Sequence, residues 1–164
     1  MNELLIMDKK RMKKLPRFQI FLRKAQGGGI VRHFYRLLYR FEAKKAHIEI
    51  STNCKIGGGL YIGHAYCITI NAQARIGKNC NIHKGVTIGQ ENRGARKGCP
   101  IIGDEVWIGV NATIVGNIKI GNDVLIAPNS YVNCDIPDHS VVFGNPCIIK
   151  YRENATEGYI NNKA

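Results

Sequence analysis

From Ile102 onward an aliphatic residue returns at every sixth position: Ile102, Ile108, Ile114, Ile120, Ile126 and Val132. The same phase is present earlier, at Ile50, Ile56 and Ile62 and again at Ile70, Ile76, Ile82 and Ile88. Thirteen positions at this six-residue spacing make chance a poor explanation. A period of six suits neither an α-helix, at 3.6, nor a lone amphipathic strand, at 2. It suits a solenoid of very short parallel strands joined by tight corners, with one aliphatic per hexad pointing at a narrow axis. Three hexads close one triangular coil, so residues 49–150 predict roughly five coils. Four positions after each aliphatic lie Val106, Ala112, Ile118, Val124, Ser130 and Ile136, mostly small or β-branched. Cys54 and Cys80 fall in that same place, which reads them as buried structural thiols.

The phase slips twice. Ile62 to Ile70 is eight residues, so two extra residues enter the coil beside His64, within "GLYIGHAYCITIN". Ile88 to Ile102 is fourteen, and the stretch holds "GQENRGARKGCP", polar and basic with no aliphatic. This is read as a loop over 89–101 thrown out from the coil. Loops carried by a rigid scaffold are where binding and catalysis concentrate. A single histidine in an apolar run is, taken alone, either a packed core residue or a functional one.

Charge is unevenly placed. The net charge is +12, and residues 1–48 hold 13 Lys/Arg against 3 acidic residues. This segment differs in kind from the repeats. "RFQIFLRKAQ" and "IVRHFYRLLYRFEAKKA" have helical apolar spacing (Ile30, Phe34, Leu37, Leu38, Phe41), separated by Gly27, Gly28 and Gly29. Two short helices are expected. They either cap the open end of the solenoid, whose strand edges would otherwise be exposed, or present a basic amphipathic surface to anionic lipid. Residues 151–164 form a C-terminal tail. No apolar run approaches the ~20 residues of a membrane span, and "MNELLIMDKKRMKK" lacks the pattern of a secretory signal. A cytoplasmic protein is expected, with membrane contact at the inner face through the basic segment. Six cysteines without a CxxC pair argue against a metal or disulfide framework. The basic segment alone would suggest nucleic acid, but the repeats offer neither an aromatic stacking platform nor a reading helix.

The hexads, "GLYIGHA", "GVTIG", "IGDEVWIGVNATIVGNIKIG" and the closing "VVFGNPCIIK" resemble the left-handed β-helix (hexapeptide-repeat) acyltransferases. The closest likeness is to the serine acetyltransferase branch, with sugar O-acetyltransferases next. The resemblance covers about residues 48–150. It implies a mostly β fold, a left-handed parallel β-helix, assembled as homotrimers with active sites between adjacent solenoids. Left-handedness comes from the resemblance alone, as an exception to the usual right-handed crossover. It also implies an acetyl-CoA-dependent O-acetyltransferase without a metal. The family's base stands where His64 stands, and histidine suits the task because its pKa lies near the operating pH. The family's serine branch carries an acid fifteen residues earlier, here Glu49, to orient the imidazole. Coenzyme A is expected along Gly89, Gly109, Val110, Ala127 and Pro128, with Lys150 and the loop bases Arg93, Arg96 and Lys97 near its phosphates.

Three departures bear on the acceptor. The family's Asp before the base is Gly63 here, its Arg-His before the loop-closing Pro is Gly98-Cys99, and the large N-terminal helical domain is reduced to about residues 1–48. The expected acceptor is therefore a sugar hydroxyl of a glycan precursor, bound near Gly63, His83 and Cys99, with serine as the alternative and an inactive scaffold as a third reading. His83 follows Ile82 and is expected to point outward, towards the cleft or a neighbouring subunit. His33, His47 and His139 carry no argument beyond surface or cap packing. A zinc hydratase of the hexapeptide carbonic anhydrase kind needs two histidines five apart, and the chain has none. Cys99 lacks the local signature of a nucleophilic cysteine.

Overall fold

The computed structural model describes residues 2–12 and 14–164. The repeats form a three-faced parallel β-solenoid of five coils. Face A stacks β1 (Glu49–Ile50), β4 (Thr69–Ile70), β7 (Thr87–Gly89), β10 (Thr113–Val115) and β13 (Tyr131–Val132). Face B stacks β2 (Lys55–Ile56), β5 (Arg75–Ile76), β8 (Ile101–Ile102) and β11 (Lys119–Ile120), extended by a bridge from Ile120 to Ile136. Face C stacks β3 (Tyr61–Gly63), β6 (Asn81–His83), β9 (Val106–Ile108), β12 (Val124–Ile126) and β14 (Ser140–Phe143). It closes with β15 (Ile148–Tyr151) running antiparallel to β14.

The hexad aliphatics become three ladders inside this prism. Ile50, Ile70, Ile88, Ile114 and Val132 are in register on face A. Ile56, Ile76, Ile102, Ile120 and Ile136 are in register on face B. Ile62, Ile82, Ile108, Ile126 and Val142 are in register on face C. All are buried. Each contributes on the order of 1.5–3 kcal/mol over an exposed side chain, which is why the period is so strictly kept. The corners turn through left-handed backbone at Asn79, Glu105, Asn111, Asp123 and Asn129, with Gly59 and Gly85 at equivalent places. Asn, Asp and Gly enter that region at least cost.

Cys54 and Cys80 are buried, as the hexad phase requires. Burial pushes their thiols up to about 11 and about 12. Both are expected to resist a thiol reagent in the folded protein and to react once it is unfolded, whereas the exposed Cys67 labels at once. Counting modified cysteines by mass before and after denaturation checks this.

The N-terminal segment holds three helices rather than the expected two: α1 (Glu3–Arg11), α2 (Arg17–Ala25) and α3 (Val31–Lys45). Helix α1 escaped the apolar pattern because polar groups anchor it. Its Asp8 carboxylate is fully buried and accepts from Arg23 Nε at 2.8 Å, Arg23 Nη2 at 3.1 Å, Gln19 Nε2 at 3.0 Å and the Leu60 amide at 2.9 Å. Arg23, equally buried, donates to the carbonyls of Ile56 and Gly57 at 2.8 and 2.6 Å. Arg11 donates to the Gly59 carbonyl at 2.7 Å. Backbone groups of the first coil thus find their partners in the helices, the role of a cap.

The tail is ordered over the outer side of face C. Asp123 accepts from His139 Nδ1, the amides of Ala155 and Thr156, and the Thr156 hydroxyl, at 2.7–2.9 Å. Tyr159 meets Trp107 edge-on at 5.1 Å, and Arg11 donates to the Asn161 carbonyl at 3.3 and 3.2 Å. His139 therefore has a structural role that its sequence context did not disclose. Its hydrogen bond to Asp123 raises its pKa.

Candidate active site

The extra two residues of the first phase slip widen one corner. Gly63 pairs with His83 and Thr69 with Thr87, so the turn from face C to face A takes six positions in the first coil and four in the second. Two residues of the wide turn, His64 and Cys67, adopt left-handed backbone, with φ of 52° each. A histidine tolerates that region better than most side chains. The result lifts His64 out of the apolar ladder and into solvent.

Glu49 lies under the same corner, one coil back. Its amide donates to the Ile68 carbonyl at 2.8 Å, and the Cys67 amide donates to Ala46 at 2.9 Å. Between them His47 meets Tyr66 edge-on at 5.3 Å, a neighbour to the site that sequence reasoning missed. Among the described residues no hydrogen bond or ion pair joins His64 to Glu49. They share a corner on adjacent coils. An open groove of about 620 Å³ runs from this corner between α3 and face A, lined by Tyr39, Arg40, Lys44, His47, Glu49 and Thr69 among others. Its α3 wall was not legible either, because it depends on how the helix docks.

His83 is the second imidazole at this place. It sits directly across from Gly63, and a Cβ on Gly63 would lie 2.6 Å from His83 Nδ1. The missing side chain at 63 is the space the imidazole fills. The ring packs at 4.8 Å from Trp107 and 6.2 Å from Tyr61. Its Nε2 is buried and has no hydrogen-bond partner among the described residues. Burial, and then the neighbouring His64, lower its pKa, which favours the neutral imidazole.

The other expected contacts divide between two edges of the prism. Gly109, Val110, Ala127 and Pro128 stack on the same edge as His64, and a Cβ on Gly109 would meet Pro128 N at 2.6 Å. At a coil spacing of about 4.8 Å, Pro128 stands about 14 Å along the axis from His64. Lys150 lies beyond it on β15, its ammonium 5.6 Å from the Phe143 ring. Gly89 and Cys99 lie instead on the edge between faces A and B, at the foot of the extruded loop. That loop is a short hairpin, bridged from Glu91 to Gly98, and carries exposed Arg93, Arg96 and Lys97. Within one chain His64 and Cys99 are therefore a full face apart. Burial pushes the Cys99 thiol up, away from the thiolate a nucleophile requires.

A family model described as bacterial transferase hexapeptide (six repeats) matches residues 99–134. The serine acetyltransferase of Staphylococcus aureus (strain Mu50) is 41% identical over 99 residues, 60% of this chain and 46% of that protein. The solved Neisseria gonorrhoeae serine acetyltransferase in complex with serine superposes with a TM-score of 0.66 at 32% identity, over 82% of this chain and 54% of that one. Over residues 99–134 this chain carries bacterial transferase hexapeptide repeats, and its parallel β-solenoid is shared with these serine acetyltransferases. The Brucella abortus serine acetyltransferase in complex with coenzyme A shares the fold, with a TM-score of 0.75 at 22% identity, over 91% of this chain and 66% of that one. The hexapeptide chain described here spans about half the length of the curated relatives it matches. These relatives are named for serine, which the departures at Gly63 and Cys99 had placed second to a sugar.

Proposed function

We propose that this chain is an acetyl-CoA-dependent O-acetyltransferase in which His64 acts as general base. The observation that carries this is the widened corner, which holds a solvent-facing imidazole at the one early coil where the repeat is interrupted. The acceptor oxygen attacks the thioester carbonyl as His64 takes its proton. The tetrahedral intermediate collapses by breaking the C–S bond, and the proton passes to the departing thiolate of coenzyme A. Glu49, one coil back at the same corner, steadies the imidazolium once substrate draws the corner together, since catalytic hydrogen bonds often tighten only in the complex. Coenzyme A runs along the edge of Gly109, Val110, Ala127 and Pro128, the edge that also carries His64. Gly89, Cys99 and Lys150 contribute from farther off. Because Cys99 and Gly89 sit a full face away from His64, a site using both sets requires a neighbouring solenoid, in keeping with a homotrimer.

Serine is the acceptor that the relatives' names favour, and it is the first to test. A sugar hydroxyl is the second reading, favoured by one observation. Where an amino-acid clamp would place a carboxylate, this chain has Gly63 with a neutral His83 lying over it. A neutral imidazole offers no charge to an ammonium group but is a good partner for a hydroxyl. Purified protein is given acetyl-CoA with serine, free sugars, and nucleotide- or lipid-linked sugars, and free thiol release is followed. Release above background with serine alone removes the sugar reading. No release with any acceptor removes the transferase.

The Gly63–His83 fit is separately testable. Gly63→Asp forces the imidazole to move and is expected to destabilise the fold by about 1–3 kcal/mol, as overpacking does. Adding His83→Ala relieves the clash, so the urea midpoint of the double variant recovers relative to Gly63→Asp. Additive losses in the double-mutant cycle would show that the two positions are not coupled.

A further inference from the structure

We propose that α3 docks on an anionic lipid surface, its apolar stripe in the headgroup–acyl boundary and its basic row on lipid phosphates. The stripe is Ile30, Phe34, Leu37 and Phe41, at spacings of four, three and four, so the four side chains line one side of the helix. Helix α3 is attached to the rest of the protein by its other side, where Tyr39 and Ala43 are buried and the Tyr39 hydroxyl donates to the Ile50 carbonyl at 2.5 Å. The stripe itself is open, with Ile30 89% and Phe41 69% exposed, and Val31 extends it. Large apolar side chains grouped in this way on an otherwise polar surface mark an interaction site.

Charge decides the occupant. Arg36, Arg40 and Lys44 follow one another at four-residue spacing, one row around the helix from the stripe. Lys45 lies on the stripe's other flank, its ammonium 5.6 Å from the Phe41 ring. The single acid of α3, Glu42, is already paired with Lys45 at 2.8 Å. A second copy meeting this helix face to face would set the basic row against itself with no free carboxylate on either helix. A phosphate-bearing surface meets the row with opposite charge and the stripe with apolar volume. This combination of a lysine- and arginine-rich face with Phe, Leu and Ile is that of a helix lying in a membrane interface. At 15 residues α3 is too short to span a bilayer, and no described helix is long and apolar enough to do so.

The proposal needs nothing of the transferase reading. If both hold, the groove between α3 and face A opens beside the lipid surface, with Arg40 and Lys44 shared between the two.

The test is co-sedimentation of the full chain with vesicles of phosphatidylcholine, with and without phosphatidylglycerol, at low and high salt. Binding is expected only to the vesicles containing phosphatidylglycerol, and it should fall as salt rises. Removing the charges of Arg40 and Lys44, as R40Q with K44Q, should weaken binding about 25-fold, from about fivefold for each basic residue near the surface. Phe34→Ser with Phe41→Ser should weaken it by a similar order. Both pairs leave Tyr39 and Ala43 in place, and continued protection of Cys54 and Cys80 from a thiol reagent verifies that the fold is kept. Parent protein that stays in the supernatant with every vesicle overturns the proposal. So does a serine pair that binds vesicles as well as the parent. If instead the serine pair lowers the oligomeric mass in sedimentation velocity and the parent ignores vesicles, the stripe is a contact between copies of the chain.

Discussion

Replacing His64 by alanine is expected to lower acetyl transfer by about 10²–10⁴-fold, the usual contribution of a positioned general base. The loss should appear in kcat, with coenzyme A binding nearly unchanged, because Gly109, Val110, Ala127 and Pro128 lie farther along the edge. Alanine at a left-handed position also costs about 1 kcal/mol or more of backbone strain, so lost activity could be confused with a disturbed corner. His64→Asn separates the two effects. Asparagine accepts left-handed backbone readily but cannot take the proton. It should match alanine in inactivity while keeping the parent's thermal midpoint. An asparagine variant that retains activity within a few-fold would remove His64 as the base. Glu49→Gln should produce a smaller fall, since it only steadies the imidazole.

The largest expected effect on stability lies far from that corner. Asp8→Ala should destabilise the protein by about 3–5 kcal/mol, because it leaves the Arg23 guanidinium buried without its counter-charge. Both side chains of this pair are fully buried. The carboxylate also holds Gln19 and the Leu60 amide, so α1, α2 and the first coil lose a shared anchor together. Urea unfolding followed by far-UV circular dichroism measures the change. Exchanging both members for apolar residues of similar size, Asp8→Leu with Arg23→Met, should recover much of the loss, because desolvating an ion pair offsets most of what its attraction supplies. A single Asp8→Ala variant as stable as the parent would mean that the helices are not anchored through this pair.

The two predictions fall on different sides of what the sequence discloses. His64 was legible because a solenoid's core is periodic. Each hexad must place one aliphatic on the axis, so any added residue shows as a broken phase, and the break at Ile62 to Ile70 points to the histidine beside it. The extruded loop was legible for the same reason. The Asp8–Arg23 anchor was not, because the two residues are joined by a helix-to-helix contact with no period. Nor was the whole of α1, which is held by hydrogen bonds rather than by an apolar stripe. His139 looked like a surface residue until the tail folded back and gave Asp123 its four donors. The acceptor reading was likewise built on single positions, and relatives named for serine weigh against the order in which it placed sugar and serine.

By itself the sequence determined the coil. The number of turns, thirteen of the fifteen ladder residues and the place of the interruption follow from local spacing, because inward positions repeat the same burial requirement; Ile136, read as a plus-four residue, and Val142 were put on the ladders only by the fold. Only the tertiary structure decided which side chains meet. It laid His83 in the space that Gly63 leaves open, put Cys99 a full face away from His64, and turned the apolar side of α3 outward instead of into the cap. Such pairings depend on docking across coils and between helices, where residues distant in the chain are brought together and no spacing rule applies.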